Sequence, residues 1–239
     1  RIAPDFGGGS SQLQDGYLDF KSSDAFNLRF GRTKVPFGLE RLKSSTDTLF
    51  NETGLPTALT PAYDEGVLLY GAFAKGALEY QLGVFNGGPD GASVDSDTND
   101  DKDLAARLWL TPFKNSDAGA LSGLSFGVAG TFGKQSGTTN AAGLPSFRSS
   151  GQQSFFSYKT STNAADIAIA DGDRVRLSPQ FYYVVGGLGL LGEYVLVDQD
   201  VANGKGSDSL GNEAWQLEAS YVLTGESPSL KGVKPLKPF

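Results

Sequence analysis

Apolar and polar residues alternate one by one through most of this chain, and that period of two governs what it can fold into. Successive residues of a β-strand point to opposite faces, so strict alternation marks a strand with one apolar and one polar side. In residues 174–185, Val175, Leu177, Phe181, Tyr183 and Val185 share one side, and Arg174, Arg176, Ser178, Gln180 and Tyr182 the other. In residues 104–113, Leu104, Ala106, Leu108 and Leu110 oppose Arg107 and Thr111. The pattern recurs in residues 12–20, 26–34, 77–86, 123–132 and 214–224, and more weakly in 66–73 and 188–198. These make about nine strands, each near the ~9–11 residues that a tilted strand needs to cross a bilayer. The sequence contains no run of ~18 apolar residues, so it offers no membrane-crossing helix.

The connections alternate in length. Residues 21–25, 74–76, 114–122 and 186–187 are short links, whereas 35–65, 87–103, 133–173 and 199–212 are long. Outer-membrane barrels show this asymmetry, with short turns at one rim and long loops at the other. A soluble sandwich has no reason to lengthen every second connection, and it would bury its apolar faces against a second sheet. The expectation is therefore one all-β domain over residues 1–239, an antiparallel transmembrane β-barrel with apolar residues toward lipid and polar residues toward a water-filled lumen.

Composition narrows the function. The chain has no His, no Cys and no Met. The commonest general base and the thiol nucleophile are missing, so an enzyme is not expected and no cofactor is implied. The formal net charge is −7, which argues against a nucleic-acid partner. It says little about a pore, whose field is set by the few charges that face the lumen.

Two motifs resemble ligand sites and are set aside. Gly187, Gly189 and Gly192 have GxGxxG spacing, but EYVLVDQD follows, which reads as strand rather than the helix a dinucleotide site requires. Asp95, Asp97 and Asn99 are spaced like the start of a calcium loop. Asp100 then replaces the required Gly and Ala106 the closing Glu, so they remain only a weak Ca²⁺ candidate.

An ordered set of blocks carries a resemblance. The run PDFGGGSSQLQDGYLDF (residues 4–20) is followed by LRFGRTKVPFGLERL (28–42), LPTAL (55–59), LGVFNGGPDG (82–91) and TNDDKDLAARLWLTPF (98–113). GQQSFFSY (151–158), YVLTGE (221–226) and GVKPLKPF (232–239) complete it. Together they resemble the phosphate-selective porin family of the porin O and P type. The resemblance implies a 16-stranded barrel, a homotrimer, set among the lipid and lipopolysaccharide of a Gram-negative outer membrane. It also implies passive passage of phosphate, polyphosphate or other small anions through a pore narrowed by infolded loops. On that view the chain is incomplete at both ends.

Anion passage needs cations at a constriction, and the guanidinium fork matches phosphate oxygens. Arg29, Arg107, Arg174 and Arg176 lie on the polar sides of strands, the last two spaced to share one face. Arg32, Lys34, Arg41 and Lys43 surround PFGLER at the start of the first long loop. The expected constriction set is Arg29, Arg32, Lys34, Arg41, Lys43 and Arg107, with Arg174 and Arg176 as a basic ladder and Ser178 and Tyr182 as hydrogen-bonding neighbours.

Overall fold

A computed structural model describes residues 1–6, 11–93, 100–149, 151, 153–163 and 165–237. Its framework is one ten-stranded antiparallel sheet. In chain order the strands are β1 (Ile2–Asp5), β2 (Gln12–Lys21), β3 (Asn27–Lys34), β4 (Tyr63–Phe73), β5 (Leu78–Phe85), β6 (Asp103–Leu110) and β7 (Leu124–Ser136). A small separate hairpin, β8 (Ser146–Arg148) and β9 (Ser154–Ser157), sits within the third long loop. The sheet resumes with β10 (Ile169–Val185), β11 (Leu188–Asn203) and β12 (Gly206–Tyr221). Every sheet strand pairs with its neighbour in sequence, apart from the β8–β9 excursion. This up-and-down order is that of a membrane barrel wall. Among the described residues β1 and β12 are not paired with each other.

The register puts the alternating sets where the sequence expects them. Val175 and Leu177 are 46% and 44% exposed, whereas Arg174 and Arg176 beside them are 1% exposed. Val67, Leu82, Val84, Leu104, Phe132 and Val175 form one continuous apolar surface on the outer side. Such an apolar band suits lipid, because lipid offers no hydrogen bonds to compete for. Large inward rings lie over cross-strand glycines. Trp109 pairs with Gly127, where a Cβ would come 2.6 Å from the indole and 2.6 Å from the Leu108 carbonyl. Only a glycine admits the ring so close to the backbone.

The inner side is drier than alternation alone implies. Val35, Phe37 and Leu59 of the first long loop, with Phe147 and Tyr158 of the third, pack on Leu68, Phe85, Ala105, Ala129, Val195, Val197 and Val201. The apolar core therefore lies between the wall and the loops folded onto it. This explains the weak alternation of residues 188–198: Leu191, Val195 and Val197 are buried beneath loops, while Leu196 faces out.

Three expectations require correction. The loop expected at residues 199–212 is strand: Asn203 pairs with Gly206, leaving a two-residue turn at 204–205. Its Asp, Asn, Gly and Ser residues resemble turn chemistry. They belong instead to the upper parts of β11 and β12, where an outward polar side chain meets water. The loop expected at 133–173 shortens for the same reason, as β7 runs to Ser136 and β10 begins at Ile169. Finally, β1 and the β8–β9 hairpin lack enough alternating residues to be recognised in the sequence. The long loops at 35–65 and 87–103 stand close to the expected bounds, between Lys34 and Tyr63 and between Phe85 and Asp103. The GxGxxG run occupies a turn and the start of β11, as its strand-like sequel indicates.

Candidate anion constriction

The first long loop folds onto the inner face and is held there by hydrogen bonds. After Lys34 the chain turns through VPFG into a single helical turn, α1 (Leu39–Leu42). The N–H groups that open a helix have no partners within it. Here Glu193 of β11 supplies them: its carboxylate accepts from the N–H of Leu39 (2.6 Å) and of Glu40 (3.3 Å). Ser178 of β10 donates its hydroxyl to the same carboxylate (3.1 Å). Directly across from Glu193 on β10, Gln180 donates its amide to the Phe37 carbonyl (2.6 Å) and accepts from Arg107 Nε (3.0 Å). The Glu40 carboxylate ties the far part of the loop by accepting the Gly54 N–H (2.8 Å).

This anchoring brings Arg41 of the loop against Lys34 at the end of β3. Lys34 Nζ donates to the carbonyls of Arg41 (2.8 Å) and Lys43 (2.5 Å) and lies over the Tyr63 ring. Arg41 donates to Thr60 Oγ1 (3.1 Å) and the Thr57 carbonyl (2.6 Å). Burial pulls the Arg41 guanidinium below its ordinary value, and the nearby Glu40, Tyr63 and Glu193 act against that shift. Lys34, Arg41 and Lys43 form no ion pair with any carboxylate among the described residues. The partners of Lys34 and Arg41 are neutral oxygens, so no carboxylate in contact cancels their charge, and Lys43 lies within electrostatic reach of Glu218.

The expected basic ladder has a different role. Arg176 Nε pairs with Asp90 (2.6 Å), and its other nitrogens donate to Asp103 (3.1 Å), Thr131 (3.1 Å) and the Gly88 carbonyl (2.8 Å). Arg174 Nη2 donates to Asp103 (2.9 Å) and the Gly87 carbonyl (3.1 Å). Asp64 of β4 accepts the N–H groups of Gly87 (2.8 Å) and Gly88 (3.0 Å) from the other side. Both guanidinium groups point inward, as the alternation expects, but two carboxylates neutralise them and together they clamp the NGGPDG turn to the wall. Gly87 has φ +103°, a conformation that favours glycine.

The remaining expected residues separate in the same way. Arg29 is held by both carboxylate oxygens of Asp19 (3.0 Å each) and lies between the rings of Tyr17 and Tyr70. Arg32 is 4% exposed and within electrostatic reach of Tyr63. Arg107 is fixed by Gln180 and lies over the Trp109 ring, 4.8 Å from its centroid. Ser178 is fully buried against Glu193 and faces no open space. Tyr182 packs on the small cluster of Leu39, Trp109 and Leu191. Asp95, Asp97 and Asn99 lie outside the described residues.

Sequence reasoning misses Glu193, Gln180, Asp64, Asp90 and Asp103, the residues that hold the loops. Alternation assigns Gln180 to the polar side, yet nothing in a single sequence says which loop group each one meets.

No curated protein matches the chain. The order of the strands, the loops folded against the inner face and the matched residues 3–238 agree on one assignment. The chain belongs to the family described as phosphate-selective porin O and P.

Proposed function

We propose that this protein is an outer-membrane porin of a Gram-negative bacterium that lets small anions, phosphate or polyphosphate among them, diffuse passively through a water-filled pore. The observation that carries the reading is the group Lys34, Arg41 and Lys43. Lys34 and Arg41 are held by neutral oxygens where the first long loop meets the wall, and among the described residues neither they nor Lys43 form an ion pair with a carboxylate. Cations held by neutral oxygens keep their field for a passing ion, and a low-dielectric surround strengthens it. Arg29, Arg174 and Arg176 add little, because each is neutralised by a carboxylate at about 3 Å or less. Family membership supports a channel rather than an enzyme, a homotrimer, and contact with outer-membrane lipid and lipopolysaccharide.

A second reading, a porin for other solutes, has one observation in its favour. Glu40, Glu193 and Glu218 lie within electrostatic reach of one another on the β11–β12 side, an acidic counterpart to the basic group. Phosphate preference is tested by recording chloride current through the full-length protein in planar bilayers while inorganic phosphate is added. Concentration-dependent block of the chloride current supports phosphate binding in the pore. Current indifferent to phosphate supports the broader porin.

A further inference from the structure

The three long loops enclose a cavity on their own side of the sheet that shares Arg41 with the Lys34 group. Its volume is about 670 Å³, and it is lined by residues 51–55 of the first loop, Pro89–Ala92 of the second, and Leu144–Ser149 of the third. Arg41 reaches it from the first loop and Arg148 from β8. Arg148 is exposed and forms no ion pair among the described residues. Two carboxylates also line the cavity, Glu52 and Asp90. Asp90 is already neutralised by Arg176 at 2.6 Å, so two guanidinium groups face one uncompensated carboxylate.

Size and lining define what fits. Cavities of roughly 300–1,000 Å³ take whole organic ligands, and a bare phosphate ion fills only a small part of such a space. Part of the wall is apolar, with Leu55, Leu144 and Pro145, and bare phosphate has nothing to place against it. Asn51 and Ser149 add neutral hydrogen-bonding groups. The Ser149 hydroxyl accepts the Gln153 N–H (3.3 Å).

We infer that this cavity is a capture site for phosphate monoesters of compact organic molecules, in which Arg41 and Arg148 hold the phosphate and the apolar wall receives the organic body. The inference rests on the anion-diffusion reading and names a class of solute for it. A doubly charged phosphate suits two guanidinium groups lining one cavity better than a carboxylate or chloride does. Because Arg41 belongs both to this cavity and to the Lys34 group, the cavity would concentrate such solutes beside Lys34.

The test is calorimetric titration of the full-length detergent-solubilised protein with glucose 6-phosphate, inorganic phosphate and glucose. Glucose 6-phosphate is expected to bind about tenfold more tightly than inorganic phosphate, and glucose to show no binding, since each charge-assisted contact and each apolar contact adds to affinity. Arg148→Ala is expected to weaken glucose 6-phosphate binding by about tenfold or more, and Arg148→Lys, which keeps charge but not the fork, by less. Arg148 is exposed, so neither substitution threatens the fold. Equal affinity for the two phosphates, or unchanged affinity in Arg148→Ala, overturns this site. Reversal potentials in bilayers judge the pore separately: cation selectivity with Arg148-dependent binding intact supports the capture site and sinks only the anion-passage reading.

Discussion

Glu193 of β11 holds Leu39 of the first long loop by a 2.6 Å hydrogen bond from its backbone N–H, and the Glu40 N–H adds a second bond to the same carboxylate. A strand carboxylate thus caps a helical turn 154 residues away in sequence. Negative charge at a helix start satisfies orphan N–H groups and complements their partial positive charge. The loop that brings Arg41 against Lys34 of β3 depends on this contact.

Replacing Glu193 with Ala is expected to cost about 0.5–2 kcal/mol at that docking point, the range for loss of a helix cap. The Ser178 hydroxyl loses its acceptor at the same time. The expected result in single-channel recordings is larger and noisier conductance, as the loop leaves the wall part of the time. Conductance and noise identical to the unsubstituted protein would show that Glu193 does not hold the loop.

Arg176 is 1% exposed and meets Asp90, Asp103, Thr131 and the Gly88 carbonyl. Arg176→Ala leaves the buried Asp90 carboxylate without its guanidinium while Asp103 keeps Arg174, and breaking such a buried pair costs about 3–5 kcal/mol. A lower unfolding temperature, read as earlier loss of heat-resistant electrophoretic mobility, is the expected outcome. Adding Asp90→Ala to Arg176→Ala is expected to cost less than the sum of the two single changes, because the groups are directly coupled. Strict additivity would show that the 2.6 Å pair contributes little.

Gly127 and Gly211 make a matched contrast. A side chain at Gly127 collides with the Trp109 indole and the Leu108 carbonyl, whereas one at Gly211 meets nothing within 4 Å. Gly127→Val is expected to destabilise the wall by about 1–3 kcal/mol, the usual range for overpacking, with Gly211→Ala near neutral. Equal stabilities, measured by urea unfolding in lipid vesicles, would argue against the close Trp109–Gly127 approach.

The wall is legible in the sequence because its physics is local. Each strand from β2 onward in the sheet needs one face for lipid and one for the interior, and that demand appears as alternation within a few residues. Ile2–Asp5 is too short to show it. Residues 199–212 mislead because their polar residues have the chemistry of a turn: Asp200 and Asn203 sit on β11, and Ser207, Asp208 and Ser209 on β12. The site is legible only in part. Inward pointing of Arg174 and Arg176 follows from spacing, but their neutralisation by Asp90 and Asp103 arises 71 to 86 residues away in the chain. Which cations keep their field is a property of tertiary partners: among the described residues Lys34, Arg41, Lys43 and Arg107 form no ion pair, whereas Arg174 and Arg176 of the ladder do.

The most direct test is the reversal potential of the full-length protein in planar bilayers under a potassium chloride gradient, compared with the triple variant Lys34→Ala, Arg41→Ala, Lys43→Ala. The account predicts an anion-selective potential for the unsubstituted protein that moves toward zero or cation preference in the variant. A cation-selective potential in the unsubstituted protein, or an anion-selective one unchanged by the three substitutions, would contradict it.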